Sequence, residues 1–264
     1  MSLIKESAYK LLDFITLGKG VERNFNGFHL RLPVRYSRYF PQNYEHDNFE
    51  FLKQYCSEEN VVIDIGAHIG LFAVRAAQLT GNNGKVYAFE PTPSTQRLLQ
   101  KTIAINKMQD CIVPLNEAVA DQDGETFFYI SDNEGDNSNS LVGFKVDRHL
   151  HKVHVKLTSI DNFVIDNKIA QIDFIKIDAE GFEYNVLLGC KNVLTALRPY
   201  GILSLHPLGI ISNGNTLEGI YDFLETCNYD IIYKYSKMSK EKFCSQNDLF
   251  DVHILPKMKS NANN

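Results

Sequence analysis

Asp64, Gly66, Gly70 and Glu90 stand at intervals that suit one task, holding a nucleoside at the end of a β-strand. Asp64 lies in the run Val61-Val62-Ile63-Asp64-Ile65, whose β-branched residues read as a buried parallel strand. Gly66, Ala67, His68 and Gly70 form the turn after it, and a helical pattern through Leu71, Val74, Arg75, Gln78 and Leu79 follows. The two glycines permit positive φ or a close backbone approach, so N–H groups at a helix N-terminus can face a ligand. Asp64 would lie beneath that ligand and accept hydrogen bonds from an ammonium or a hydroxyl. The next strand, Lys85 to Glu90, closes on a carboxylate followed by Pro91 and Thr92. That acid comes roughly 20 residues past the turn, where nucleotide-binding α/β folds grip ribose hydroxyls. The turn lacks the middle glycine of G-x-G-x-x-G, so a pyrophosphate is poorly provided for and S-adenosylmethionine is favoured over NAD.

A second group could act on an acceptor. Lys176, Asp178 and Glu180 alternate with Ile177 and Ala179 at the end of a fourth strand, where ligands of open α/β sheets bind. The fifth strand ends Ser204-Leu205-His206-Pro207. An imidazole of ordinary pKa, about 6.5, can take a hydroxyl proton. The expected division of labour has His206 or Asp178 taking that proton while Lys176 or Glu180 orders the acceptor, with Asp178 also expected to touch the cofactor. The plain alternatives are a core histidine bonded to backbone and a Lys176–acid pair that only orders the strand end. Asp178 and Glu180 could hold a divalent ion, but His206 stands where a further oxygen ligand would be wanted, so a metal-free route is expected. No G-x-S-x-G, no Cys beside a His and no Gly-rich Lys-Ser/Thr loop occurs, which lowers hydrolase and phosphotransferase readings. An NAD-dependent oxidoreductase and a catalytically silent nucleoside-binding module stay open.

The elements that must position these groups can be read in order. Leu3 to Leu17 is an amphipathic helix stopped by Gly18 and Gly20; it could dimerise or lie on a membrane, but packing on the protein is expected. Asn24 to Arg35 reads as a hairpin bent at Asn26-Gly27, with Phe28, Leu30, Leu32 and Val34 on one side. Helices are expected from about Glu45 to Tyr55, Pro93 to Asn106, Phe182 to Gly189 and Leu217 to Cys227, and strands at Cys111 to Leu115, Glu125 to Ile130, Ile172 to Asp178 and Tyr200 to Leu205. Tyr229 to Tyr235 and Leu249 to Leu255 close the sheet as a pair. Thr158 is expected to cap the helix that follows it. Ser131 to Ser140 is too polar to pack and suits a substrate-facing flap, and His149, His151 and His154 belong to a solvated strand face rather than a metal set.

The stretches VVIDIGAHIG, YAFEPTPSTQRLLQKTIAIN, LTSIDNF and IDFIKIDAEGFEYNVLLG together resemble the FkbM family of S-adenosylmethionine-dependent methyltransferases, from about Tyr44 to about Pro207. The resemblance implies a Rossmann-like class I methyltransferase fold, a mostly parallel seven-stranded sheet of order 3-2-1-4-5-7-6 with helices on both faces. It implies O-methylation of a hydroxyl on a sugar, glycolipid or secondary metabolite. It also places the adenine near Glu117 and Ala118 and matches Asn139-Ser140-Leu141 to a Ser-Ser-Leu or Asn-Ser-Leu of the family. His206 departs from the acid that many members carry. The expected organisation is an N-terminal helix and hairpin over 1–43, the methyltransferase domain over 44–256 and a disordered tail over 257–264.

Composition bounds the rest. The 264 residues are 44% hydrophobic, enough for one large core. The net charge of −5, without a basic block, argues against a nucleic-acid partner, and the family resemblance implies a small-molecule or glycan acceptor. The densest basic stretch, Lys234 to Lys242, reads as a solvated loop. Five cysteines without C-x-x-C spacing suit reduced thiols, and no apolar run approaches the ~20 residues of a membrane span, so a cytoplasmic protein is expected.

Overall fold

A computed structural model of the chain describes residues 9, 11, 12, 14–131 and 150–258. In chain order its strands are β1 (Val21–Phe25), β2 (Phe28–Leu32), β3 (Val61–Ile65), β4 (Lys85–Phe89), β5 (Ile112–Leu115), β6 (Glu117–Val119), β7 (Gly124–Ser131), β8 (Leu150–Thr158), β9 (Phe174–Asp178), β10 (Tyr200–Leu205), β11 (Tyr229–Tyr233), β12 (Ser236–Lys237) and β13 (Phe250–Pro256). Eight of them form one sheet in the order β5-β4-β3-β9-β10-β13-β11-β12. Pairing is parallel from β5 through β10 and antiparallel beyond it. Numbered by core strand this is the anticipated 3-2-1-4-5-7-6, extended by the two-residue β12.

The strands that read as unbroken apolar runs are the ones covered on both faces. Val62, Ile63 and Ile65 of β3, and Phe174, Ile175 and Ile177 of β9, are at most 3% exposed. On one face, the hairpin side chains Phe25, Phe28, Leu30 and Leu32 pack with helices His46–Tyr55, Leu71–Thr80 and Pro93–Ile105. Asn26 (φ 48) and Gly27 (φ 85) supply the two left-handed residues that a tight hairpin turn requires. On the other face, helices Ile160–Asp166, Glu183–Leu188 and Leu217–Thr226 bury Phe163, Val186, Leu187, Ile220 and Leu224. The chain leaves β3 towards β4 and returns at β9 on the other flank, so the carboxyl ends of β3, β4, β9 and β10 frame a crevice at a topological switch point.

Several expectations needed correction. The helix after β8 is capped by Ser159, whose side chain accepts from the Asn162 N–H. Thr158 still belongs to the strand, and its carbonyl accepts from the Ala120 N–H. Asp161 instead accepts the N–H groups of Asn192 and Val193, tying two helix starts together. β6, β7 and β8 form a separate three-stranded sheet that periodicity did not reveal, because three-residue β6 is too short to show a period. Of the expected N-terminal helix, the described residues Leu11, Phe14 and Ile15 are 59% to 76% exposed, whereas Ile4 and Ala8 of the same stripe lie outside the described residues. Tyr9 does reach the body, its hydroxyl accepting from Arg38. The basic stretch is ordered by acids, Lys237 pairing with Asp230 and Lys240 with Glu218 and Asp222. His154 sits beside Glu125 at 3.3 Å, whereas His149 and the polar flap beyond Ser131 lie outside the described residues.

The cysteines are free thiols, Cys244 alone being exposed. No helix among the described residues is long and apolar enough to cross a membrane.

Candidate active site

The crevice holds a cavity of about 320 Å³. Of the residues singled out from sequence, Gly66, His68, Glu90, Pro91, Thr92, Glu117, Ala118, Asp178, Glu180 and His206 line it. Tyr44, Glu45, Ser204, Leu249 and Asp251 line it too and had been missed. Asp251 had a usable signal: β13 runs antiparallel to β10, so its first residues must return to the carboxyl end of β10, and Asp251 faces Ser204 in register. Tyr44 and Glu45 come from a loop with no periodicity.

The turn wraps one wall. Gly66 (φ 78) and Gly70 (φ 92) take left-handed conformations, as does His68 (φ 49). A Cβ on Gly66 would lie 1.9 Å from the Asp178 carbonyl oxygen, which is why only glycine lets β3 and β9 meet there. The Glu90 carboxylate fixes the turn: Oε2 accepts the His68 N–H at 3.0 Å and Oε1 the Thr92 N–H at 2.9 Å. A carboxylate offers about four lone-pair sites, so Glu90 can accept a ligand hydroxyl beside these bonds. Burial lifts Glu90 to about 7 against the hydrogen bonds from the Thr92 backbone, the Thr92 side chain and the His68 backbone, and burial lowers His68 to about 4. Asn116 staples the strand end from below, donating to the carbonyls of Glu90 and Pro91. Ile65, Phe89, Ala118 and Val119 give the same wall an apolar floor, while Glu117 is engaged by Lys156 at 2.8 Å.

Three of the residues predicted to hold the cofactor stand back from the cavity. Ala67 and Gly70 shape the turn through backbone hydrogen bonds. Asp64 is wholly enclosed beneath it, and neither carboxylate oxygen has a hydrogen-bond partner. Burial raises Asp64 to about 7, with nearby Lys176 pulling the other way. An acid whose folded pKa exceeds its unfolded value loses stability as pH rises through the folded value. Asp64→Asn should therefore raise the melting temperature of the unliganded protein more at pH 8 than at pH 5; a scan showing equal shifts would contradict the enclosed carboxylate.

The opposite wall carries the groups expected from sequence to act on an acceptor. Lys176, also set back, donates to Asp178 Oδ2 at 2.9 Å and lies over the Phe72 ring. Burial works against its charge, but Asp178, Glu45 and Asp64 together hold its pKa well above the usual lysine range. Burial would raise Asp178, yet Lys176 and His206 hold it below the ordinary carboxylate value. His206 is not the backbone-bonded core histidine: Nδ1 lies 2.8 Å from Glu183 Oε1, and Glu183 is fully buried. Nε2 points back towards Glu180 and Asp178. Burial disfavours the imidazolium, but Glu183, then Glu180 and Asp178, outweigh it and lift His206 to about 9. Glu183 was visible at the end of the IDAEGFE run, but its role depends on a partner 23 residues away.

Over residues 64–231 the chain matches the family model described as the Methyltransferase FkbM domain. The chain belongs to the FkbM methyltransferase family. This FkbM chain is similar to hexuronic acid methyltransferase AglP of Haloferax volcanii, 26% identical over 218 residues that span 78% of this chain and 84% of that protein. It is also similar to 2-O-methyltransferase NoeI of Sinorhizobium fredii, 26% identical over 151 residues, 52% of this chain and 60% of the other. Among solved structures, an rRNA-methylase candidate from Clostridium thermocellum shares the fold at a TM-score of 0.50 and 11% identity, over 81% of this chain and 96% of that one. The methyltransferase FkbM structure from Methylobacillus flagellatus KT aligns at a TM-score of 0.46 and 16% identity, over 75% of this chain but 43% of its own.

Proposed function

We propose that the enzyme transfers the methyl group of S-adenosylmethionine to a hydroxyl of a sugar. The observation that supports this is one crevice in which the Gly66 turn and Glu90, suited to a nucleoside, face Asp178, Glu180 and His206, suited to handling a proton. The cofactor supplies an activated methyl on a sulfonium, so the protein must align an acceptor oxygen with it and help remove the hydroxyl proton. Ribose hydroxyls would bond Glu90, the adenine would rest among Phe89, Ala118 and Val119, and the acceptor would lie towards Glu180 and His206. Six acids line the cavity, Glu45, Glu90, Glu117, Asp178, Glu180 and Asp251, and among the described residues no Lys or Arg does. That field suits a cationic sulfonium and opposes a pyrophosphate, which argues against the NAD-dependent alternative. It also favours a neutral sugar over a uronate, unlike the hexuronic acid named for the Haloferax relative.

Glu90→Ala should weaken S-adenosylhomocysteine binding by ~1–3 kcal/mol, the loss of a hydrogen bond to a charged group. Calorimetry on the variant, with a melting curve to confirm folding, tests it; unchanged affinity would remove Glu90 from the cofactor site. Transfer of labelled methyl to neutral glycosides but not to glucuronosides tests the acceptor class, and the reverse preference would refute it.

A further inference from the structure

Asp178 at the end of β9, Glu180 two residues on and His206 after β10 bring one potential ligand atom each to within 4.8 Å of one another. His206 Nε2 is 3.9 Å from Asp178 Oδ1 and 3.7 Å from Glu180 Oε2. These separations are too long for hydrogen bonds. They are the separations that donors show around one cation: ligands ~2.1 Å from an ion lie about 3.0 Å apart at right angles and about 4 Å apart when nearly opposite.

The outer side of the cluster points the same way. A metal-bound imidazole almost always donates its other N–H to a carboxylate or carbonyl, which fixes the ring. His206 Nδ1 has that partner in Glu183 Oε1, itself fully buried and held by the Gly181 N–H at 2.9 Å. Lys176 occupies Asp178 Oδ2, so it is Oδ1 that approaches His206. Three carboxylates, Asp178, Glu180 and Glu183, gather here around one lysine and one histidine.

We propose that Asp178, Glu180 and His206 form a binding site for a divalent cation of the Mn²⁺, Co²⁺ or Zn²⁺ kind, oriented by Glu183. One imidazole with two carboxylates suits these ions better than Mg²⁺, which prefers oxygen donors throughout. From sequence, His206 counted against an ion because it displaces an oxygen ligand; in the fold it becomes the third donor for a softer one. The ion's role rests on the methyl-transfer reading: with positions left for the acceptor oxygen, it would lower the hydroxyl pKa so that the proton departs to solvent before the oxygen takes the methyl. The binding itself does not depend on that reading.

The test uses the full chain, stripped with EDTA and titrated with Mn²⁺ alone while the signal of the free ion is followed by electron paramagnetic resonance. Co²⁺ is added in parallel and read by its visible absorption. Saturable uptake of one ion per chain is expected, weakened at least ~10-fold by Glu180→Gln and by His206→Ala, and ~10–100-fold by Glu183→Gln acting through the ring. Melting curves identify any variant that does not fold, and S-adenosylhomocysteine binding is measured on the same samples. Cofactor binding without uptake of Mn²⁺ or Co²⁺ at millimolar concentration would overturn the site and leave methyl transfer standing. Uptake unaffected by all three substitutions would overturn it as well. Saturable, variant-sensitive uptake without cofactor binding would support the site and strike the cofactor reading.

Discussion

His206→Ala and Asp178→Ala are each expected to lower kcat by ~10²–10⁴-fold, the range for losing a group that handles the proton of the reacting hydroxyl. Affinity for S-adenosylmethionine should stay nearly intact, because both residues face the acceptor side of the crevice. The pH profile gives a sharper signature. In the ion-free site Glu183, Glu180 and Asp178 lift His206 to about 9, so at neutral pH the imidazole carries a proton that must leave before Nε2 can take the hydroxyl proton or hold the proposed cation. Assayed without added divalent ion, wild-type kcat should climb from pH 7 through about 9, and that rise should vanish in His206→Ala. Stability runs in the opposite direction: a histidine whose folded pKa exceeds its unfolded one stabilises fully below about 6.5, and the contribution is lost as pH rises through about 9. An enzyme most active where this site is least stabilising would display both effects. A flat profile across pH 7 to 9 with an unimpaired His206→Ala variant would remove the histidine from the reaction.

Replacing Gly66 should have the largest effect on the molecule as a whole. At φ 78 any L side chain is strained, by about 1–2 kcal/mol, and a Cβ would sit 1.9 Å from the Asp178 carbonyl oxygen. That neighbour is backbone in the next strand of the sheet, so relief requires β3 and β9 to separate at the site. Overpacking of this kind adds typically ~1–3 kcal/mol or more, a large share of the ~5–15 kcal/mol that holds an ordinary domain. Gly66→Ala is therefore expected to lower the melting temperature by ~4–20 °C, at ~2–4 °C per kcal/mol, and to abolish S-adenosylhomocysteine binding. A variant that melts like wild type and binds would show that the turn has room the geometry denies.

What could be read in the sequence was what lies contiguous along the chain. The strand, turn and helix around Gly66 follow one another within 20 residues, and Glu90 ends the next strand, so one wall of the site was visible as spacing alone. Asp64 shows the limit: its type and position were evident, but β3 is buried on both faces, and such a strand has no polar side to tell whether an acid meets ligand or core. Residues joined across the fold were the hidden ones. The Glu183 contact to His206 bridges two separate βα turns, and the approach of Asp251 to Ser204 depends on a register fixed by antiparallel pairing. Asn48 completes that corner, donating to Asp251 and bonding His253 across more than 200 residues, a connection without local signature.

The Lys176–Asp178 pair also constrains how this sequence can drift. The lysine side chain is 5% exposed and its ammonium rests 2.9 Å from the carboxylate. Removing one member of such a pair leaves an uncompensated buried charge, at ~3–5 kcal/mol, whereas apolar replacement of both is often tolerated. A lineage that abandoned catalysis would meet a barrier at each single step and open ground beyond both. The two positions are therefore expected to change together rather than singly, and their joint loss would mark descendants that kept the sheet and gave up the chemistry.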